Sequence, residues 1–234
     1  MLLNALARAY DAGVTFYDTS PDYGNGHSEE LIGHAFRGMR ERVVIASKVG
    51  FVSLSRPNDE AAIRDSLVSA RIRQTIEGTL RRLRSDYLDL LQLHSPPLGV
   101  LRAMPEVFTV LGELKREGKI RSFGISLRAP QDGLAVISEF RAPVLQVNFN
   151  LIDQRAMESG LLDLAQEHGV GVIVRTPLAY GFLSGRYGEL KFDSRDHRAR
   201  WPSEQLKIWA AAPSYFAPLN AGQERTIAQL AIRF

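Results

Sequence analysis

Asp18, Lys48 and His94 each stand at the end of an apolar run, and Tyr23 follows the first of them by five residues. The runs are Val14-Thr15-Phe16-Tyr17, Val43-Val44-Ile45-Ala46-Ser47 and the stretch 87–93. A carboxylate, an ammonium, an imidazole and a phenol are groups that hold or move protons. A free tyrosine titrates near ~10 and is a poor acid at neutral pH. A neighbouring ammonium favours the phenolate, a carboxylate keeps that ammonium charged and aimed, and an imidazole can donate or relay a hydrogen bond at a carbonyl oxygen. Together the four suit protonation of an oxyanion as it forms. None of them delivers electrons or attacks carbon; a hydride from a nicotinamide would supply that missing half.

Such groups meet only if the chain brings the ends of these runs together. Hydrophobic periodicity predicts a helix over 2–12, then six strand–helix repeats. Strands are expected at 14–18, 43–48, 87–94, 122–126, 144–148 and 170–176. Helices are expected at 28–37 (with Ser28 as N-cap), 66–83, 105–118, 130–140, 156–168 and 223–234. Strict alternation implies parallel strands with right-handed crossovers. The expected fold class is therefore α/β; in a (β/α)8 TIM-type barrel, the closed form such repeats can take, all C-terminal strand ends would share one face. Residues 1–234 read as a single domain, with a loop over 49–65 and a long loop over 177–222. The latter is rich in Gly, Pro and aromatics and reads as a functional lid. No strand is followed by Gly-x-Gly-x-x-Gly, so a Rossmann site is not expected.

Composition narrows the function classes. The 234 residues are 45% hydrophobic with a formal net charge of +3, the basic residues scattered, so no nucleic-acid groove is indicated. There are no cysteines, which excludes disulfides, thiolate catalysis and cysteine-bound zinc and fits a cytoplasmic protein. No apolar run is long enough to span a bilayer. His27, His34, His168 and His197 stand singly, without metal-ligand spacing, so no metal is expected. Arg71, Arg73, Arg81, Arg82 and Arg84 read as the solvated face of a helix. The charge run from Asp193 through Arg195, Asp196, His197 and Arg198 to Arg200 reads as a solvated loop or a phosphate contact. Trp201 and Trp209 either line a substrate pocket or anchor the long loop.

Further pieces stand in order along the chain: Gly26-x-Ser28-Glu29, Leu91-Gln92-Leu93-His94, Gly118-Lys119-Ile120-Arg121-x-Phe123-Gly124-Ile125-Ser126, Gln146-Val147-x-Phe149-Asn150 and Pro177-Leu178-Ala179-x-Gly181-x-Leu183-Ser184-Gly185. With Asp18-x-x-x-x-Tyr23-Gly24 and Lys48, they resemble the aldo-keto reductases over nearly the whole chain. The resemblance implies a barrel that binds NADP(H) in extended form and reduces aldehydes or ketones, its partner a small-molecule carbonyl or alcohol substrate. Tyr23 resembles the proton donor, Lys48 held by Asp18 the ammonium that assists it, and His94 the group that orients the carbonyl. On the cofactor side, which includes Asp18, Ser126 and Gln146 resemble the holders of the nicotinamide carboxamide. Arg175 stands where a ring-stacking tyrosine is frequent, with Thr176 and Pro177 next to it. Leu178, Gly181, Leu183 and Ser184 resemble the loop along the pyrophosphate. Leu127 stands where the family often has Asn, so one carboxamide hydrogen bond is expected to be lost.

Six strands fall short of the family's eight. The expectation is an incomplete barrel without the first and eighth strands, a fragment that binds NADP(H) weakly. A nicotinamide-binding regulatory chain that does not turn over substrate is the alternative. A metal-dependent barrel hydrolase is disfavoured by the missing histidine pairs.

Overall fold

The computed structural model describes residues 2–51, 59–186, 190–194, 196–222 and 224–234. It opens with α1 (Leu2–Asp11), β1 (Phe16–Asp18), α2 (His27–Ala35) and β2 (Val44–Val49). Next come α3 (Glu60–Ser66), α4 (Ser69–Leu83), β3 (Leu88–His94), α5 (Leu98–Ala103), α6 (Glu106–Arg116) and β4 (Ile120–Ser126). α7 (Asp132–Ala135) runs into a π-helical turn, Val136–Phe140, before β5 (Val144–Asn148). The chain continues with α8 (Arg155–Glu158), α9 (Leu161–Glu167), β6 (Gly171–Arg175), α10 (Ser203–Phe216) and α11 (Ile227–Arg233).

All six strands pair in parallel, in the order β1 to β6, and curl into a half-barrel with β1 and β6 at its edges. One face takes the helices. There Ile45, Leu91, Leu93, Leu145 and Val147 meet Ile72, Ile76 and Leu83 of α4 and Leu111 and Leu114 of α6, all essentially removed from water. Ile72, Ile76 and Leu83 recur at helical spacing, and burying each such side chain is worth about 1.5–3 kcal/mol. The opposite, concave face carries Asp18, Lys48, Gln92 and Ser126. On the edge strand β1 it leaves Phe16 39% exposed.

Several elements differ from the sequence expectation. The first turn of α2 is capped by Gly26, not Ser28. Asn25 and Gly26 both take left-handed φ (54° and 89°), so the helix starts at His27, and the Ser28 hydroxyl instead accepts from Thr19 Oγ1 at 2.8 Å. Part of the loop expected at 49–65 is helix α3, started by Asp59 Oδ1 accepting from Ala62 N; residues 52–58 of that loop lie outside the described residues. The helix expected at 156–168 is two, separated at Gly160 (φ 74°).

The long segment after Pro177 is not a plain loop, because it holds α10. Its periodicity is weak: Leu206 and Ala212 are buried while Ile208 and Tyr215 are exposed, and Pro213 lies inside it. α10 and α11 build a second apolar cluster with Leu151, Ala179 and Leu183. None of the described helices is long and apolar enough to cross a membrane.

Candidate active site at the strand ends

Strand register decides what can meet. Asp18 lies beside Ala46, Lys48 beside Gln92, His94 beside Ser126, Ser126 beside Gln146, and Asn148 beside Arg175. Side chains at paired positions of parallel strands share a face. Asp18, Lys48, Gln92, His94, Ser126, Gln146 and Arg175 therefore line the C-terminal end of the concave face. Lys48 is the penultimate residue of β2 rather than its last, since Val49 still pairs.

Lys48 is 1% exposed, and two oxygens meet its ammonium. It forms an ion pair with Asp18 Oδ2 and donates to the Thr19 carbonyl at 2.9 Å. Its Nζ lies 5.0 Å from the centroid of the Tyr23 ring. Asp18 is held from the other side as well, because Gln92 Nε2 donates to Oδ1 at 2.8 Å. Burying an ammonium alone would be costly; the carboxylate and the carbonyl supply the compensation. Tyr23 is 44% exposed at the mouth, and its ring meets His94 edge-on with centroids 6.3 Å apart. Phe51 packs on the imidazole at 4.9 Å. Asp18, Tyr23, Lys48 and His94 thus fall at one mouth, as expected from the run ends.

On the expected cofactor side, the Ser126 hydroxyl donates to Gln146 Oε1 at 3.1 Å, and both residues are buried. Arg175 Nη2 donates to the Leu127 carbonyl at 2.8 Å, while its buried Nε has no partner among the described residues. Thr176 Oγ1 bonds Asn148 Oδ1 at 2.7 Å. Pro177 opens the turn that leads from Thr176 into the 3-10 segment Ala179–Ser184. Thr176, Ala179, Tyr180 and Gly181 all have positive φ there. Leu178 and Leu183 point into the second apolar cluster, so a ligand along this turn would meet backbone rather than the Leu183 side chain.

Other expectations divide. Arg82 does not belong to a solvated face: its Nε pairs with the fully buried Glu29 at 2.7 Å, and Glu29 also accepts from the Ser47 hydroxyl at 2.6 Å. Arg73 bridges Glu113 and Glu117 at the surface. In the charge run, Asp196 pairs with Arg198, whose Nη1 reaches the Tyr180 carbonyl at 3.0 Å; Arg195 lies outside the described residues. Trp201 and Trp209 anchor the long segment, both packing on Tyr180. They pack against each other with centroids 4.9 Å apart, and with Tyr180, Asn148, Asp153 and Arg155 they line a cleft of about 490 Å³. Among the described residues, no group of three or more His, Asp or Glu side chains could hold a metal ion.

Gln92 was missed as a site residue because it sits within the apolar run Leu90-Leu91-Gln92-Leu93. The available signal was its place two residues before His94, on the same face of the strand. Ser20 and Asp22, which face His94, lie in the turn before Tyr23, where spacing alone gives no contact.

Comparison with known proteins follows the same lines. The model of the "Aldo/keto reductase family" matches residues 2–234. The chain is 32% identical over 193 residues to the NADH-specific methylglyoxal reductase of Escherichia coli, covering 78% of this chain and 58% of that protein's length. The glycerol dehydrogenase of Gluconobacter oxydans superposes with a TM-score of 0.78 at 29% identity, over 99% of this chain and 71% of that one. An aldo/keto reductase from Klebsiella pneumoniae, in complex with NADP and acetate, gives 0.65 at 29% identity, over 97% and 68%.

Proposed function

We propose, since the chain belongs to the aldo/keto reductase family, that it transfers a hydride between NADP(H) and a small aldehyde or ketone, residues 1–234 forming one barrel domain. The observation that carries this reading is the buried Lys48 ammonium, bound to Asp18 and lying 5.0 Å from the Tyr23 ring. An ammonium so close to a tyrosine favours the phenolate, the form left when the proton is given up.

The residues present fit a nicotinamide. Ser126 and Gln146 set a hydroxyl beside an amide, the donor and acceptor types that a carboxamide takes. Arg175 offers a flat guanidinium with an unpartnered buried Nε, and such a plane can lie on an aromatic ring. When bound, the reduced nicotinamide supplies the hydride. Tyr23 gives its proton to the substrate oxygen as negative charge builds there. Lys48 stabilises the phenolate left behind, and Asp18 with Gln92 keeps that ammonium aimed. His94 orients the substrate oxygen at the mouth. NADP(H) is proposed over NAD(H), although one relative above is NADH-specific.

The test is fluorescence titration with NADPH and NADH, followed by consumption assays on a panel of aldehydes and ketones. Turnover that disappears in Tyr23→Phe supports the reading. Binding without consumption of either nucleotide across the panel would favour a nicotinamide-binding chain that does not turn over substrate.

A further inference from the structure

His94 Nδ1 faces two oxygens. Ser20 Oγ lies 3.5 Å away and Asp22 Oδ2 3.6 Å. Ser20 is fully buried, and its hydroxyl carries a single proton. That proton goes to Asp22: the Oγ–Oδ2 distance is 2.9 Å, and an ionised carboxylate can only accept. The Asp22 backbone N–H reaches the same hydroxyl oxygen at 3.3 Å and takes one of its lone pairs. Ser20 therefore turns a lone pair toward the imidazole, and Asp22 turns a carboxylate oxygen toward it. Both are acceptors. A bare Nδ1 lone pair placed beside them would meet only repulsion.

We propose that Asp22, directly and through Ser20, fixes neutral His94 in the tautomer that carries its proton on Nδ1. The two contacts are long, so the selection comes from the lack of a donor on that side among the described residues rather than from one strong bond. Asp22 is a positioning residue that acts through His94. In this tautomer Nε2 is a lone pair. It accepts from the hydroxyl of an alcohol, or from a hydroxyl next to a carbonyl group. It donates to a bare carbonyl oxygen only after the ring takes a second proton, whose charge Asp22 balances. The substrates favoured by a neutral His94 are thus alcohols and hydroxylated carbonyl compounds. That consequence rests on the reductase reading; the tautomer itself does not.

The experiment is ring ¹⁵N–¹H correlation spectroscopy on the histidine-labelled protein without ligands, the His94 signals being identified by their loss in His94→Gln. Neutral His94 is expected to show its proton on Nδ1 in the wild type. Asp22→Ala frees the Ser20 hydroxyl to donate to Nδ1, and the proton is expected to move to Nε2. Should that variant not fold, Asp22→Asn serves, because its amide can donate to Nδ1 and the same move is expected. A wild-type proton on Nε2 overturns the proposal, as does an Asp22 variant that keeps its proton on Nδ1. Because no substrate or nucleotide is present, a protein that fails to reduce any carbonyl would sink the reductase reading and leave this result intact.

Discussion

Arg82 Nε meets Glu29 Oε2 at 2.7 Å, and Ser47, the residue before Lys48, holds the other oxygen of the same carboxylate. One buried charge thus ties α4, α2 and the C-terminal end of β2 together. Glu29→Ala leaves the Arg82 guanidinium without its partner. Breaking buried pairs costs about 3–5 kcal/mol, and Arg82 keeps some access to water, so the lower end of that range is expected. Urea denaturation of the two proteins measures it.

α2 and α4 touch backbone to backbone at Gly33. A Cβ there would lie 2.5 Å from the Arg82 carbonyl oxygen and 2.6 Å from the Leu83 carbonyl carbon, atoms that no rotamer change can move. Gly33→Ala is expected to destabilise by about 1–3 kcal/mol or more. Gly112, inside α6, has open space where a Cβ would stand, with no atom within 4 Å, and Gly112→Ala is expected to stabilise by about 0.5–1 kcal/mol. Thermal melts of the pair should move in opposite directions.

Tyr23→Phe removes one hydroxyl from a partly exposed ring. Turnover is expected to fall roughly 10²–10⁴-fold or more, the usual worth of a general acid, with nucleotide affinity nearly unchanged. Lys48→Met should lower kcat similarly while its Kd for NADPH stays close to the wild-type value. Kinetics that keep most of their turnover in either variant would remove that residue from the mechanism.

Asp153 gives a pH-dependent contribution to stability. Its hydrogen bonds from Arg155, at 2.8 and 2.7 Å, hold its carboxyl below the ordinary value of 3.8. The folded value is depressed, so the stabilisation is complete above 3.8 and is lost as pH falls through the lower folded value. The stability deficit of Asp153→Asn, read by denaturation, should therefore be largest near neutral pH and shrink in acid.

The strand ends were legible because a parallel strand covered on both faces writes itself as an unbroken apolar run, and the polar residue that closes it is conspicuous. Asp18, Lys48 and His94 were found that way. The partners that hold them were not. Gln92 hides inside its run, and Ser20 and Asp22 reach His94 only through the shape of a turn. Arg82 carries the same side chain as its solvated neighbours on α4, and only the packing of α2 against α4 sets it apart. α10 stayed hidden because its apolar residues fall on both faces and Pro213 reads as a helix breaker. Propensity and pattern encode burial well, whereas hydrogen bonds between distant segments leave no period in a sequence.

The turn after β6 has a shape that single residues would not choose. Thr176, Ala179 and Tyr180 sit in left-handed conformations without being glycine, each carrying a strain of order 1–3 kcal/mol. The Arg198 guanidinium on the Tyr180 carbonyl and the burial of Leu183 hold them there. A ligand that settles along this turn therefore finds it already ordered, and little of its binding free energy is consumed in restricting the backbone. Loosening the Arg198 anchor would then show itself first as a less favourable entropy of binding, with the contacts themselves unaltered.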